Sequence, residues 1–156
     1  IAGSPADGYL DGGATTARFS QPAGLAITVG GAAVLIADSN NHRIRQLDLA
    51  STNVTTVAGS GSVASTDGIG TSASFNSPFG IATSPDGRIA LVSEVGGHRI
   101  RRLLLSTGEV TTLAGSGVAG SLDSLIGTSA QFNAPTSIAF SVTGEAALIV
   151  DSANHC

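Results

Sequence analysis

The chain has 156 residues, of which 42% are hydrophobic and only 12% charged, with a net charge of −4. All seven basic residues are arginine, and the acidic balance argues against a general nucleic-acid surface. No apolar run approaches the ~20 residues of a membrane helix, so no membrane span is expected, and the one cysteine, Cys156, cannot form an internal disulfide.

The chain opens on Ile1-Ala2-Gly3-Ser4, which returns as Val57-Ala58-Gly59-Ser60 and again as Leu113-Ala114-Gly115-Ser116, each time after 56 residues. Asp11, Asp67 and Asp123 keep the same interval. Phe75 and Phe132 are 57 apart, so the third copy carries one inserted residue between Asp123 and Phe132. Internal repetition at a fixed period points to a repeat architecture.

Within the second copy, Phe79–Thr83 is a short apolar run that ends in the turn Ser84-Pro85-Asp86-Gly87. Arg88–Ser93 is a second strand, closed by Gly96-Gly97. His98–Leu105 is a third and Glu109–Ala114, rich in β-branched residues, a fourth. No segment carries a helical period. Four short antiparallel strands per copy predict an all-β fold, a β-propeller with four-stranded blades. The predicted blades are residues 21–59 and 77–115, with a partial blade at 134–156. Residues 1–4 are expected to be the last strand of a preceding blade, which makes the whole an open arc of a larger propeller.

The copies resemble NHL repeats. The resemblance lies in Phe75-Asn76-Ser77-Pro78-Phe79-Gly80-Ile81-Ala82, Ser84-Pro85-Asp86-Gly87, His98-Arg99-Ile100-Arg101 and Val110-Thr111-Thr112-Leu113-Ala114-Gly115, and in Asn41-His42-Arg43-Ile44-Arg45 of the first copy. It covers nearly the whole chain and is specific for fold, whereas a fold hosts many functions. Some propellers of this kind are lyases or hydrolases that work at the central channel. Others are the NHL modules of ubiquitin-ligase-type proteins, some of which bind RNA, a reading that the acidic balance disfavours.

The candidate residues follow the repeat. Asp38, Glu94 and Asp151 end the second strands, while Arg43 with Arg45, and Arg99 with Arg101, open the third. A short hairpin brings these ends together, so carboxylate–guanidinium pairs are expected there. Such pairs are individually weak when exposed. His42, His98 and His155 occupy one position on successive blades, too far apart for one metal ion, and are read as structural turn residues. The Asp-Gly stretches at Asp11 and Asp67 read as crossover turns rather than calcium loops, with Phe19, Phe75 and Phe132 anchoring their far ends. Tyr9, Arg18 and Glu145 differ between copies but have no evident partner. No catalytic motif is present, and no cofactor or metal site is expected. Asn53-Val54-Thr55 is an N-glycosylation sequon at a hairpin turn.

Together these features predict a non-catalytic module that binds a protein or glycan or builds an assembly, in an extracellular or secretory-pathway protein. The expected partners are further blades, from the same or neighbouring chains. The alternative is a propeller enzyme whose site lies mostly outside these residues.

Overall fold

The computed structural model describes residues 2–156. Among the described residues there are twelve short strands, β1 to β12, most of them apolar runs bounded by tight turns, grouped into three sheets that follow one another along the chain. The first sheet holds β2 (Pro22–Ile27), β3 (Ala33–Asp38), β4 (Arg43–Asp48) and β5 (Asn53–Ala58), an antiparallel meander. The second repeats it with β7 (Pro78–Thr83), β8 (Ile89–Glu94), β9 (Arg99–Leu104) and β10 (Glu109–Ala114). The third holds β11 (Pro135–Phe140) and β12 (Ala147–Asp151). Each inner strand begins with a proline, which has no N–H to offer a ladder, and each carries a bulge just after it.

The structure departs from the sequence-based expectation in three places. Each complete sheet has a fifth, two-residue strand on its outer edge: β1 (Gly12–Gly13) beside β5, and β6 (Gly68–Ile69) beside β10. These come from the crossover segment that leads into the blade, so the chain grips the outer edge before entering the inner strand. Of the expected strand at 1–4, Ile1 lies outside the described residues and Ala2–Ser4 form no strand. Gly3 and Ser4 donate instead to the carbonyls of Ala14 and Ala17 in the crossover, at 2.7 Å each. Finally, His42 and His98 precede the third strands β4 and β9 instead of starting them. All three repeat histidines are left-handed, with φ of 52°, 51° and 60°; His42 and His155 each close a single 3-10 turn, and His98 ends the plain turn that begins at Val95.

The core lies between blades. Leu35, Ala37 and Ile44 of the first blade form one cluster with Phe75, Ile81, Val92 and Leu103 of the second. The inner strands approach so closely that a Cβ at Gly24 would collide with the Phe79 carbonyl, and one at Gly80 with the Thr136 carbonyl. Side chains larger than hydrogen are excluded there by backbone, not by flexible neighbours.

The first blade carries the same apolar face on its other side. Ala17, Ile36, Leu47 and Val54 cluster with Phe19 and Val34, at the repeat positions of Ala73, Val92, Leu103, Val110, Phe75 and Ala90. In the second blade this face lies against the first blade. In the first blade it lines an open apolar hollow with Pro22 and Leu25. Ile81 is 6% exposed, whereas its counterpart Leu25 is 66% exposed.

Candidate functional site

Each complete blade is built around one buried arginine. Arg45 is fully buried and uses all five of its N–H donors. Its Nη1 donates to Asp38 Oδ2 at 2.8 Å and to the Arg18 carbonyl at 3.0 Å. Nη2 donates to Asp11 Oδ1 at 2.6 Å and to the Leu10 carbonyl at 2.9 Å, and Nε reaches Asp11 Oδ1 at 3.0 Å. Arg101 repeats the arrangement between Glu94 at 3.0 Å and Asp67 at 2.8 Å, with the Ser74 carbonyl at 3.0 Å. The arginine thus joins the hairpin end of its own blade to the crossover strap.

Of the arginines expected to pair with acids, Arg45 and Arg101 do so, and the pairs are buried rather than exposed. Arg43 and Arg99 do not. Arg43 donates to the carbonyls of Asn41 and Ser60, and Arg99 to those of Gly97 and Ser116. Arg43 also lies 3.8 Å from the centre of the Tyr9 ring, whose hydroxyl is 3.0 Å from Thr56 Oγ1. Asp151 accepts from the Asn133 N–H and from Asn154. Arg18 contributes only its carbonyl to the clamp, and Glu145 meets only the Thr143 hydroxyl and lies on the surface.

Asp11 and Asp67 are more than turn residues, because they supply the second carboxylate of each clamp. The legible signal was their fixed separation of 34 residues from the arginine they bind. Partial burial works against the Asp67 carboxylate. The Thr112 backbone N–H and hydroxyl, with the Arg101 guanidinium, outweigh it and hold its pKa below the ordinary aspartate value.

The second blade makes one compensated exchange. In the first and third blades an aspartate is joined by an asparagine three residues on, Asp38 with Asn41 and Asp151 with Asn154. Each asparagine also donates to a crossover carbonyl, of Gly8 and Gly120. The second blade has Glu94 and Gly97 instead, and the longer acid fills the space of the missing amide. A Cβ on Gly97 would lie 2.5 Å from Glu94 Oε2 and 2.7 Å from the Ser65 hydroxyl. Burial pushes the Glu94 carboxyl above its ordinary pKa, although Arg101, Ser65 and the Asn76 N–H pull it down. We predict that Gly97→Asn alone and Glu94→Asp alone each destabilise the protein, while the double variant recovers most of the loss. Urea unfolding of the four proteins should give a coupling of about 1–3 kcal/mol, and additive losses would contradict the exchange.

The turns at this end form a continuous row. Asp38 and Arg43 are opposite each other and Pro22 is opposite Asp38, so the second-to-third-strand turn and the entry to the inner strand meet there. His42 Nδ1 accepts the N–H of Ser77, and His98 Nδ1 that of Ala134, both at 3.1 Å. The histidines therefore join neighbouring blades. Exposed Gln21, Asn40, Gly96, Ser152 and Ala153 lie along the row. Asn53, the sequon residue, is exposed at the start of β5, opposite Gly13. Cys156 is a free, exposed thiol. Among the described residues, no helix is long and apolar enough to cross a membrane.

Repeated meanders, clamped in the same way and packed face to face, define a repeat β-propeller. The model of the family described as NHL repeat matches residues 19–47, and the chain belongs to the NHL-repeat β-propellers. Over 155 residues it is 29% identical to Protein SUPPRESSOR OF QUENCHING 1, chloroplastic, of Arabidopsis thaliana, which spans 97% of this chain. Over 105 residues, 67% of this chain, it is 33% identical to NHL repeat-containing protein 2 of Bos taurus. The matches span only 15% and 14% of those proteins. Among solved structures, an auxiliary nutrient binding protein from Bacteroides thetaiotaomicron superposes with a TM-score of 0.73 at 26% identity, over 84% of this chain and 35% of that one. A chain of a nidogen/laminin complex superposes at 0.60 and 17% identity, over 86% of this chain and 41% of that one, a likeness of fold.

Proposed function

We propose that the chain is part of a non-catalytic propeller module that binds a protein or a glycan through its row of aligned turns, in an extracellular or secretory-pathway protein. The carrying observation is how its polar groups are divided. The buried charges of the two complete blades at this end are committed to the clamps, while Gln21 and Asn40 of the first blade and Ser152 of the third stand exposed beside them, with exposed Gly96 of the second between. A rigid scaffold that presents variable turns is a binding architecture. Similarity to a solved nutrient binding protein at 26% identity supports the same reading. The apolar hollow beside Leu25 adds a second kind of partner, a further blade from the same or a neighbouring chain.

The test is position-specific capture by the intact native protein. A photo-cross-linking residue at Asn40 or Ala153 should trap a protein or glycan that one at Thr55, on the outer edge, does not. Equal capture from the outer edge, or turnover of the captured molecule, would contradict the proposal. For the location, the Asn53 peptide from secreted native material should carry an N-glycan, and the mass should disappear in Asn53→Gln. An unmodified Asn53 in that material would remove the support that the sequon gives.

A further inference from the structure

The bonds between blades suggest a device beyond the binding role. His42 and His98 each bridge a seam through Nδ1, and the amides they accept from belong to residues that are themselves left-handed, Ser77 at φ 52° and Ala134 at φ 54°. That conformation is costly for residues other than glycine and persists only where surroundings hold it. The separations are 35 and 36 residues, so the bond survives the one-residue insertion in the third copy. An imidazole nitrogen accepts a hydrogen bond only while it carries no proton.

We propose that His42 and His98 are acid-sensitive latches, whose protonation frees the amides of Ser77 and Ala134 and loosens each blade from the next. Two features of the surroundings bear on the direction. Burial, and then the neighbouring Arg43 cation, hold the His42 pKa below the ordinary histidine value. The unfolded chain therefore binds that proton first. The stabilisation from neutral His42 is complete above the unfolded value of about 6.5 and is lost as pH falls through the lower folded value. Across the same seam lies Glu94, which accepts the Asn76 N–H and pairs with Arg101. Its raised pKa works the other way, because protonation relieves a buried charge and its contribution grows as pH falls. At the second seam the corresponding charged neighbours are Arg99 beside His98 and Asp151, which accepts the Asn133 N–H.

Hydrogen–deuterium exchange of the intact protein at pH 7.5 and pH 5, corrected for intrinsic exchange, tests the proposal. Protection of peptides containing Ser77 and Ala134 should be lower at pH 5 than at pH 7.5. Protection within β8 should hold. In H42N/H98N, where Asn tolerates the left-handed turn, the two pH values should give equal protection at these peptides. E94Q should retain the histidine effect. Unchanged protection in the unmodified protein, or the same fall in H42N/H98N, would overturn the proposal.

Discussion

Arg45→Met should destabilise the protein by about 3–5 kcal/mol, the usual loss when one partner of a buried ion pair is removed. Methionine fills much of the volume but supplies no donor. The Asp38 carboxylate, wholly buried, would keep only the Ser20 N–H and the Asn41 amide. The carbonyls of Arg18 and Leu10 would lose their donor as well, and Asp11 would hold the crossover to the blade only through the Thr56 N–H and hydroxyl. Arg88→Met is the control. Its guanidinium is 82% exposed and 3.7 Å from Asp86, a pair that solvent screens, so no measurable change is expected. Urea midpoints at pH 7 separate the two. Equal, small effects would show that Arg45 is not the centre of the clamp.

The clamp shows where sequence reading succeeds and where it stops. Hairpin ends that carry an acid and two arginines announce an ion pair, and Asp38 and Glu94 make one, whereas among the described residues Asp151 does not, and Asp11 and Asp67, which also pair, read from the sequence only as turn residues. Which arginine reaches the acid is not written in the pattern. Asp38 is opposite Arg43 in register, yet Arg45, two residues along the same face, takes the pair, while Arg43 turns to backbone carbonyls. Strand alternation places side chains on a face but not at a particular partner. The straps β1 and β6 are two residues long and glycine-bearing, too short for any alternation to show. The histidine bonds run between blades, so they follow from the packing of one repeat on the next. The repeat itself was legible because equivalent environments select the same residues, as Phe19 and Phe75 or Leu47 and Leu103 show.

Ile81→Ala should cost about 2–5 kcal/mol, because the side chain is packed between blades and its removal leaves a cavity. Leu25 occupies the same place in the preceding repeat but borders the open hollow. Were that face solvated in the native protein, Leu25→Ala would remove little, within about 0.5 kcal/mol. Were another blade seated on it, the loss would approach that of Ile81→Ala. The comparison is a difference between equivalent sites in one molecule, so the reference state largely cancels.

Urea unfolding of the intact native protein carrying Leu25→Ala or Ile81→Ala measures this directly. If the chain is part of a propeller in which further blades continue the stack, the two variants should lose similar stability, about 2–5 kcal/mol each. A full loss for Ile81→Ala beside a negligible one for Leu25→Ala would show that the apolar face of the first blade is not covered, contrary to that account.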